Sequence, residues 1–231
     1  MTVGGIWRSN ALIMVLLVII NFMFISMPPV LWMALGILIL CGAIYLSFRQ
    51  GGAMGHEACG VSKMIERATN AQSPTHGQLD ARTYKQAYSV STGIKGLFAS
   101  ALIPYVINAA YLAVMLIYIN KPEVFGAESA VSADAIPAVV FVTRFLSWLV
   151  TLPFWPLLSH WHPSYNVVTA DVIALMMLSP FVLPTASFLG YLQGPKLWEK
   201  TEKAMAQGKR RAKAKSRVIK KRQPRVQKPE I

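Results

Sequence analysis

Between residues 11 and 192 the chain is a succession of apolar runs, several of them about 20 residues long, separated by prolines or short polar stretches. A helix crossing a hydrocarbon layer of about 30 Å needs a run of roughly that length. In lipid every backbone N–H and C=O must find its partner inside the protein, which leaves only helices or closed barrels. These runs are solid rather than alternating, so they fit helices and not barrel strands. The expected fold class is all-α, an integral membrane helical bundle of four to five transmembrane helices with a cytoplasmic basic tail. Composition agrees: 14% of residues are charged and 54% are hydrophobic, where a soluble domain has about a quarter charged.

The charge is piled at one end. Residues 193–231 carry 14 of the 23 Lys and Arg against three acids, Glu199, Glu202 and Glu230, and so supply +11 of the net +13. Basic residues in short loops mark the cytoplasmic side of a membrane. Placing Arg8, the six Lys/Arg of residues 49–95 and the tail on that side collects 21 of the 23. Only Lys121 is left outside, and Arg144 is embedded.

That count requires an even number of crossings, and hydropathy offers five candidates. Residues 1–48 read as a transmembrane hairpin, with spans 9–27 and 29–48 turned by Pro28 and Pro29, which cannot continue a helix. Arg8 before an apolar run resembles the start of a signal peptide, but no small-residue cleavage site follows, so an uncleaved first span is expected. Trp7 and Trp32 suit interfacial anchors. Residues 49–95 read as a cytoplasmic loop holding one short amphipathic helix, because Val61, Met64, Ile65 and Ala68 share a face. A turn at residues 73–77 and a second helical stretch around residues 79–89 follow. Residues 96–192 hold the remaining membrane helices.

Within them, residues 136–158 contain Pro137, Pro153, Pro156, Trp148, Trp155 and Arg144. Irregular backbone at depth is tolerated only under protein or beside water. The segment is therefore expected to be re-entrant or interfacial, leaving four crossings. Five regular spans with an exterior N-terminus would also put the tail inside, at the cost of exposing the basic 49–95 loop.

Arg144 is the one charge deep in an apolar run, and intramembrane ionisable groups are functional candidates by default. Asp171 opens the last run and meets Arg144 only if 136–158 is bent. His160 and His162 fall short of the three or four ligands that zinc prefers, and residues 55–60 lack the second His of a His-Glu-x-x-His helix. The latter stretch reads as a loop-to-helix junction with glycines permitting a turn. Asn21 and Asn108, inside spans, are expected to hydrogen-bond to neighbouring helices. Cys41 and Cys59 sit at different depths, so no disulfide is expected. No catalytic residue, metal site or cofactor is assigned: phosphate-cradling glycine loops, nucleophile–base sets and paired carboxylates are all missing from the sequence.

Residues 193–231 form the polybasic cytoplasmic tail, starting as a helix near Trp198. Its segment 209–222 holds Lys209, Arg210, Arg211, Lys213, Lys215, Arg217, Lys220, Lys221 and Arg222 with no acid. Near an anionic leaflet each is worth about 1 kcal/mol. Clustered Lys/Arg also suits phosphate of RNA or the ribosome, but no aromatic residue after Trp198 offers a base-stacking platform. The expected location is the cell membrane, multi-pass, with membrane lipids as partners and a protein partner or a second copy beside them. The expected function is a non-catalytic accessory, scaffold or assembly component. The alternative is a small transporter or channel subunit with Arg144 near an anionic solute path.

Overall fold

The computed structural model describes residues 3–24, 26–70, 81–118, 138–159 and 170–222. The chain is all-helical, with no strand among the described residues. In order, α1 is Val3–Phe24, α2 Pro29–Asn70, α3 Ala81–Lys85 and α4 Val90–Tyr118. Then come α5 Ala138–Thr151, a 3₁₀ turn Leu152–Phe154, α6 Trp155–Ser159, α7 Ala170–Leu192 and α8 Gly194–Arg222. Five stretches are helical, long and apolar enough to cross a membrane, among them Ala138–Leu157.

Contacts between helices give each its direction. Ser9 on α1 donates to Gln50 on α2, so these two run antiparallel and are turned at Pro28–Pro29. Gly96 of α4 rests on Ile6, and Asn10 reaches Ser100, so α1 and α4 run parallel. Tyr105 meets Phe181, and Asn108 meets Met176, so α4 and α7 are antiparallel. The widest contact is between α2 and α7. There Gly51 meets Ser187 and Gly55 meets Tyr191, and Gly60 meets Trp198 in α8, which makes this pair parallel. Consequently the start of α1, the far half of α2, the start of α4 and all of α8 gather at one end of the bundle, hereafter the basic end.

The 49–95 region differs from the sequence reading. No break follows residue 48: α2 runs unbroken for 42 residues, about 63 Å at 1.5 Å per residue, or twice a hydrocarbon layer. The face of Val61, Met64, Ile65 and Ala68 belongs to its last turns. Continuity is explained by the partner. Polar residues from Arg49 onward signal a loop only if α2 stands alone, whereas α7 and α8 accompany it along the whole extension. Residues 55–60 are accordingly mid-helix and not a junction. The second helical stretch is α3, while the turn at 73–77 lies outside the described residues. Trp7 is part-exposed, but Trp32 is buried, with no partner for its Nε1 among the described residues.

The segment Ala138–Ser159 is helical but bent. Trp148 packs on Phe22 with ring centroids 6.5 Å apart, and Pro156 packs on Gly36. Phe22 lies 13 residues past Ser9, and Gly36 lies 14 residues before Gln50. Both levels are therefore about 20 Å from the Ser9–Gln50 contact. A straight helix would separate Trp148 from Pro156 by about 12 Å along its axis, yet the two touch the same level. The turn Leu152–Phe154, with Pro153 inside it, folds the chain back, and both Leu152 and Phe154 are buried.

Candidate functional site

The bent segment is held by a chain of hydrogen bonds that begins with a proline. Pro180 in α7 has no N–H, so the Met176 carbonyl loses its usual intrahelical donor. Asn108 of α4 supplies one across the helix gap: its Nδ2 donates to Met176 O at 2.6 Å. The Asn108 Oδ1 accepts from Ser147 Oγ of α5 at 2.8 Å. Thr151 Oγ1 donates back to the Ser147 carbonyl at 2.8 Å. Asn108, Ser147 and Thr151 are fully buried. The expectation for Asn108 is met, whereas Asn21 bonds its own helix at the Leu17 carbonyl, 2.9 Å away.

Arg144 stands one turn from Ser147 on α5. It is half-buried in a hollow formed with Phe141, Phe145 and Trp148, within electrostatic reach of Tyr111. Phe145 stacks on Trp148 with centroids 6.2 Å apart, so three aromatic side chains line the hollow with Arg144. Asp171 is the second residue of α7, and its side chain lies outside the described residues, as do His160 and His162. Among the described residues no cluster of His, Cys, Asp or Glu could hold a metal.

The basic end carries a second, different arrangement. Gly51 and Gly55 of α2 face Gly190 and Gly194 across the pair, each where a Cβ would collide with the opposite backbone. Small residues four apart let helix backbones touch, the usual means of association where lipid is as apolar as leucine. This paired spacing is legible in the sequence, but the sequence reading took Gly55, with Gly60, for a turn former and passed over Gly51. Beyond the glycines, His56 lies 3.1 Å from Thr201 Oγ1 and against the Trp198 ring. Arg67 reaches Glu202 at 2.8 Å.

The short stretch after α3 closes this junction. The Tyr88 N–H is shared between Ser62 Oγ at 2.8 Å and the Ala58 carbonyl at 3.1 Å, and its ring stacks on Tyr191. The Tyr191 hydroxyl bridges the N–H and carbonyl of Ser89, both at 3.3 Å. Cys59 is buried in the same place, on the part of α2 that extends past residues 29–48. Burial pushes its thiol above the ordinary cysteine range, and the Lys63 ammonium pulls the other way. Cys41 is exposed one apolar stretch away, and both cysteines are free.

The tail continues as helix α8 to Arg222. At 100° per residue, positions 209, 210, 213, 217, 220 and 221 fall on one arc of about 120°. Positions 211, 215 and 222 fall on another. Lys209, Arg210, Arg211 and Lys213 are exposed.

No family model, curated protein or solved structure matches this chain.

Proposed function

We propose that this chain is a non-catalytic membrane component, a scaffold or assembly factor, crossing the cell membrane four times with α1, α2, α4 and α7. In this reading the α2–α8 pair lies on the cytoplasmic side, and the basic arc of residues 209–222 contacts anionic lipid. The observation that carries it is the common end. Arg8, Arg49, Lys63, Lys95 and the basic run of α8 all fall on the side to which α2 and α7 both point. The bend at Leu152–Phe154 supports the even crossing count, because Trp148 and Pro156 share one level.

Reporters at Thr2, Gln72, Ser129, Pro163 and Ile231 test the topology. Thr2, Gln72 and Ile231 should face one side, with Ser129 and Pro163 together on the other. Five crossings would instead separate Ser129 from Pro163, and that pattern would sink the four-crossing reading. For the tail, full-length protein should bind vesicles with anionic lipid and lose them as salt rises, since each basic residue contributes about 1 kcal/mol near such a surface. Indifference to lipid charge, or preference for RNA, would remove the lipid role.

A solute path at Arg144 is the second reading, motivated by the hollow of about 270 Å³ that Arg144 shares with three aromatic residues. Arg144→Leu with unchanged anion flux in proteoliposomes would count against it.

A further inference from the structure

The hollow at Arg144 belongs to one helix face. Phe141, Arg144, Phe145 and Trp148 follow one another at i, i+3, i+4 and i+7, and among the described residues all of its lining is on α5. Phe141 is 63% and Phe145 48% exposed, while Val140, Ser147 and Thr151 on the neighbouring face are buried. The space therefore opens on the outside of the bundle and not between helices. Unlike the apolar surface around it, it carries a cation that is itself only half-buried.

Depth decides what such a cation meets. Asn108 bonds Ser147, and Tyr111 lies within reach of Arg144, so α5 runs antiparallel to α4 and its start faces away from the basic end. Tyr111 is 11 residues past Ser100, which bonds Asn10 beside the Ser9–Gln50 contact. By that route Arg144 stands about 17 Å from the basic end. By the other, Arg144 is four residues outward of Trp148, whose partner Phe22 is 13 residues past Ser9, which gives about 26 Å. Against a hydrocarbon layer of about 30 Å, both values put Arg144 in the half away from the basic end. Helical side chains lean toward the start of their helix, so the guanidinium is carried outward, and snorkelling with local thinning brings it to the headgroups.

We propose that Arg144 holds the phosphate of a phospholipid in the leaflet opposite the basic end, with Phe141, Phe145 and Trp148 against its glycerol and first acyl carbons. The guanidinium presents five donors in a planar fork. Two of them match a phosphate diester through parallel bonds, which leaves donors for contacts that Arg144 makes within the protein. The inference rests on the reading that α1, α2, α4 and α7 cross the bilayer, and is independent of what the tail touches. It assigns to a lipid the place that a solute path would give to a free anion.

The test uses the full chain in nanodiscs of a galactosyl diacylglycerol, which has no phosphate, doped with phosphatidylcholine. After release into mild detergent, the lipid still bound is counted by native mass spectrometry. The parent should retain phosphatidylcholine enriched roughly tenfold or more over its share of the nanodisc, the scale of one hydrogen bond to a charged group. Arg144→Leu should bring retention down to that share. Arg144→Lys, a point charge without the fork, should fall between the two, and it carries the test if Arg144→Leu does not fold. No enrichment in the parent, or enrichment unchanged in either variant, would overturn the inference. Displacement of the lipid by inorganic phosphate would also overturn it and hand the site to a free anion. Failure to enter nanodiscs would refute the membrane reading and this site with it, whereas failure of the tail to bind anionic vesicles would leave the site standing.

Discussion

The two ends of the bundle solve the same packing problem by opposite means. At the basic end α2 touches α7 and the start of α8 backbone to backbone because Gly51, Gly55, Gly190 and Gly194 contribute no side chain. At the other end the bent segment of α5 and α6 is bulky and proline-rich, and a relay through Asn108 and Ser147 ties it in. Contact through missing atoms tolerates no added atom. Contact through hydrogen bonds tolerates changes that preserve the donor and acceptor count. The first end should therefore be sensitive to volume, and the second to polarity.

The largest effect should come from overfilling the glycine seam. Gly51→Leu or Gly190→Leu drives a side chain into the facing backbone and should destabilise by about 3 kcal/mol or more, near the top of the overpacking range. Gly42→Leu and Gly208→Leu meet open space, so they should leave the melting temperature close to the parent. Equal losses at all four positions would erase the distinction.

Next comes the polar relay. Asn108→Leu strips the short donor from Met176 O, leaving it Ser179 Oγ at 3.4 Å, and the acceptor from Ser147, for an expected loss of about 1–3 kcal/mol. Pro180→Ala returns the missing N–H to the Met176 carbonyl. The double variant should therefore lose less than Asn108→Leu alone, a coupling that a double-mutant cycle in thermal unfolding reads directly. Strict additivity would mean that Pro180 is not the reason for Asn108.

A smaller effect is expected at Cys59. Its thiol is raised in the fold, so ionisation favours the unfolded chain. The stability this burial contributes is present below the ordinary cysteine range and fades as pH climbs above it. In a Cys41→Ser background, alkylation of Cys59 should be slow at neutral pH and speed up when Gly55→Leu opens the seam. Fast alkylation in the parent would show that the junction does not cover the thiol.

The smallest change should be Arg67→Ala. Its partner Glu202 is exposed like itself, and such pairs are worth under about 1 kcal/mol.

Much of the membrane-like half was legible in residue order alone. Apolar length identified the helices, Pro28–Pro29 the hairpin, and Pro153 with Pro156 the irregular segment. What single-helix reading could not supply was company. Arg49 and Gln50 look like the end of a helix because isolated helices end where apolar residues do. In the fold, α7 and α8 run alongside and the helix simply continues. The glycine pairs failed for the same reason, since a glycine's use depends on what lies opposite. The Asn108 relay needed two separate facts to be joined: a carbonyl freed by Pro180, and an amide 68 residues earlier placed to meet it.

The parallel pairing of α2 with α7 also sets a schedule. Gly51 meets Ser187, a residue 136 positions later. At synthesis rates of about 5–20 residues per second, that interval lasts on the order of 7–27 s. During it the glycine-lined side of α2 has left the ribosome without the helix it is shaped for. The end of the molecule that is least forgiving of added volume is thus also the last to be completed, and waits longest with its backbone uncovered.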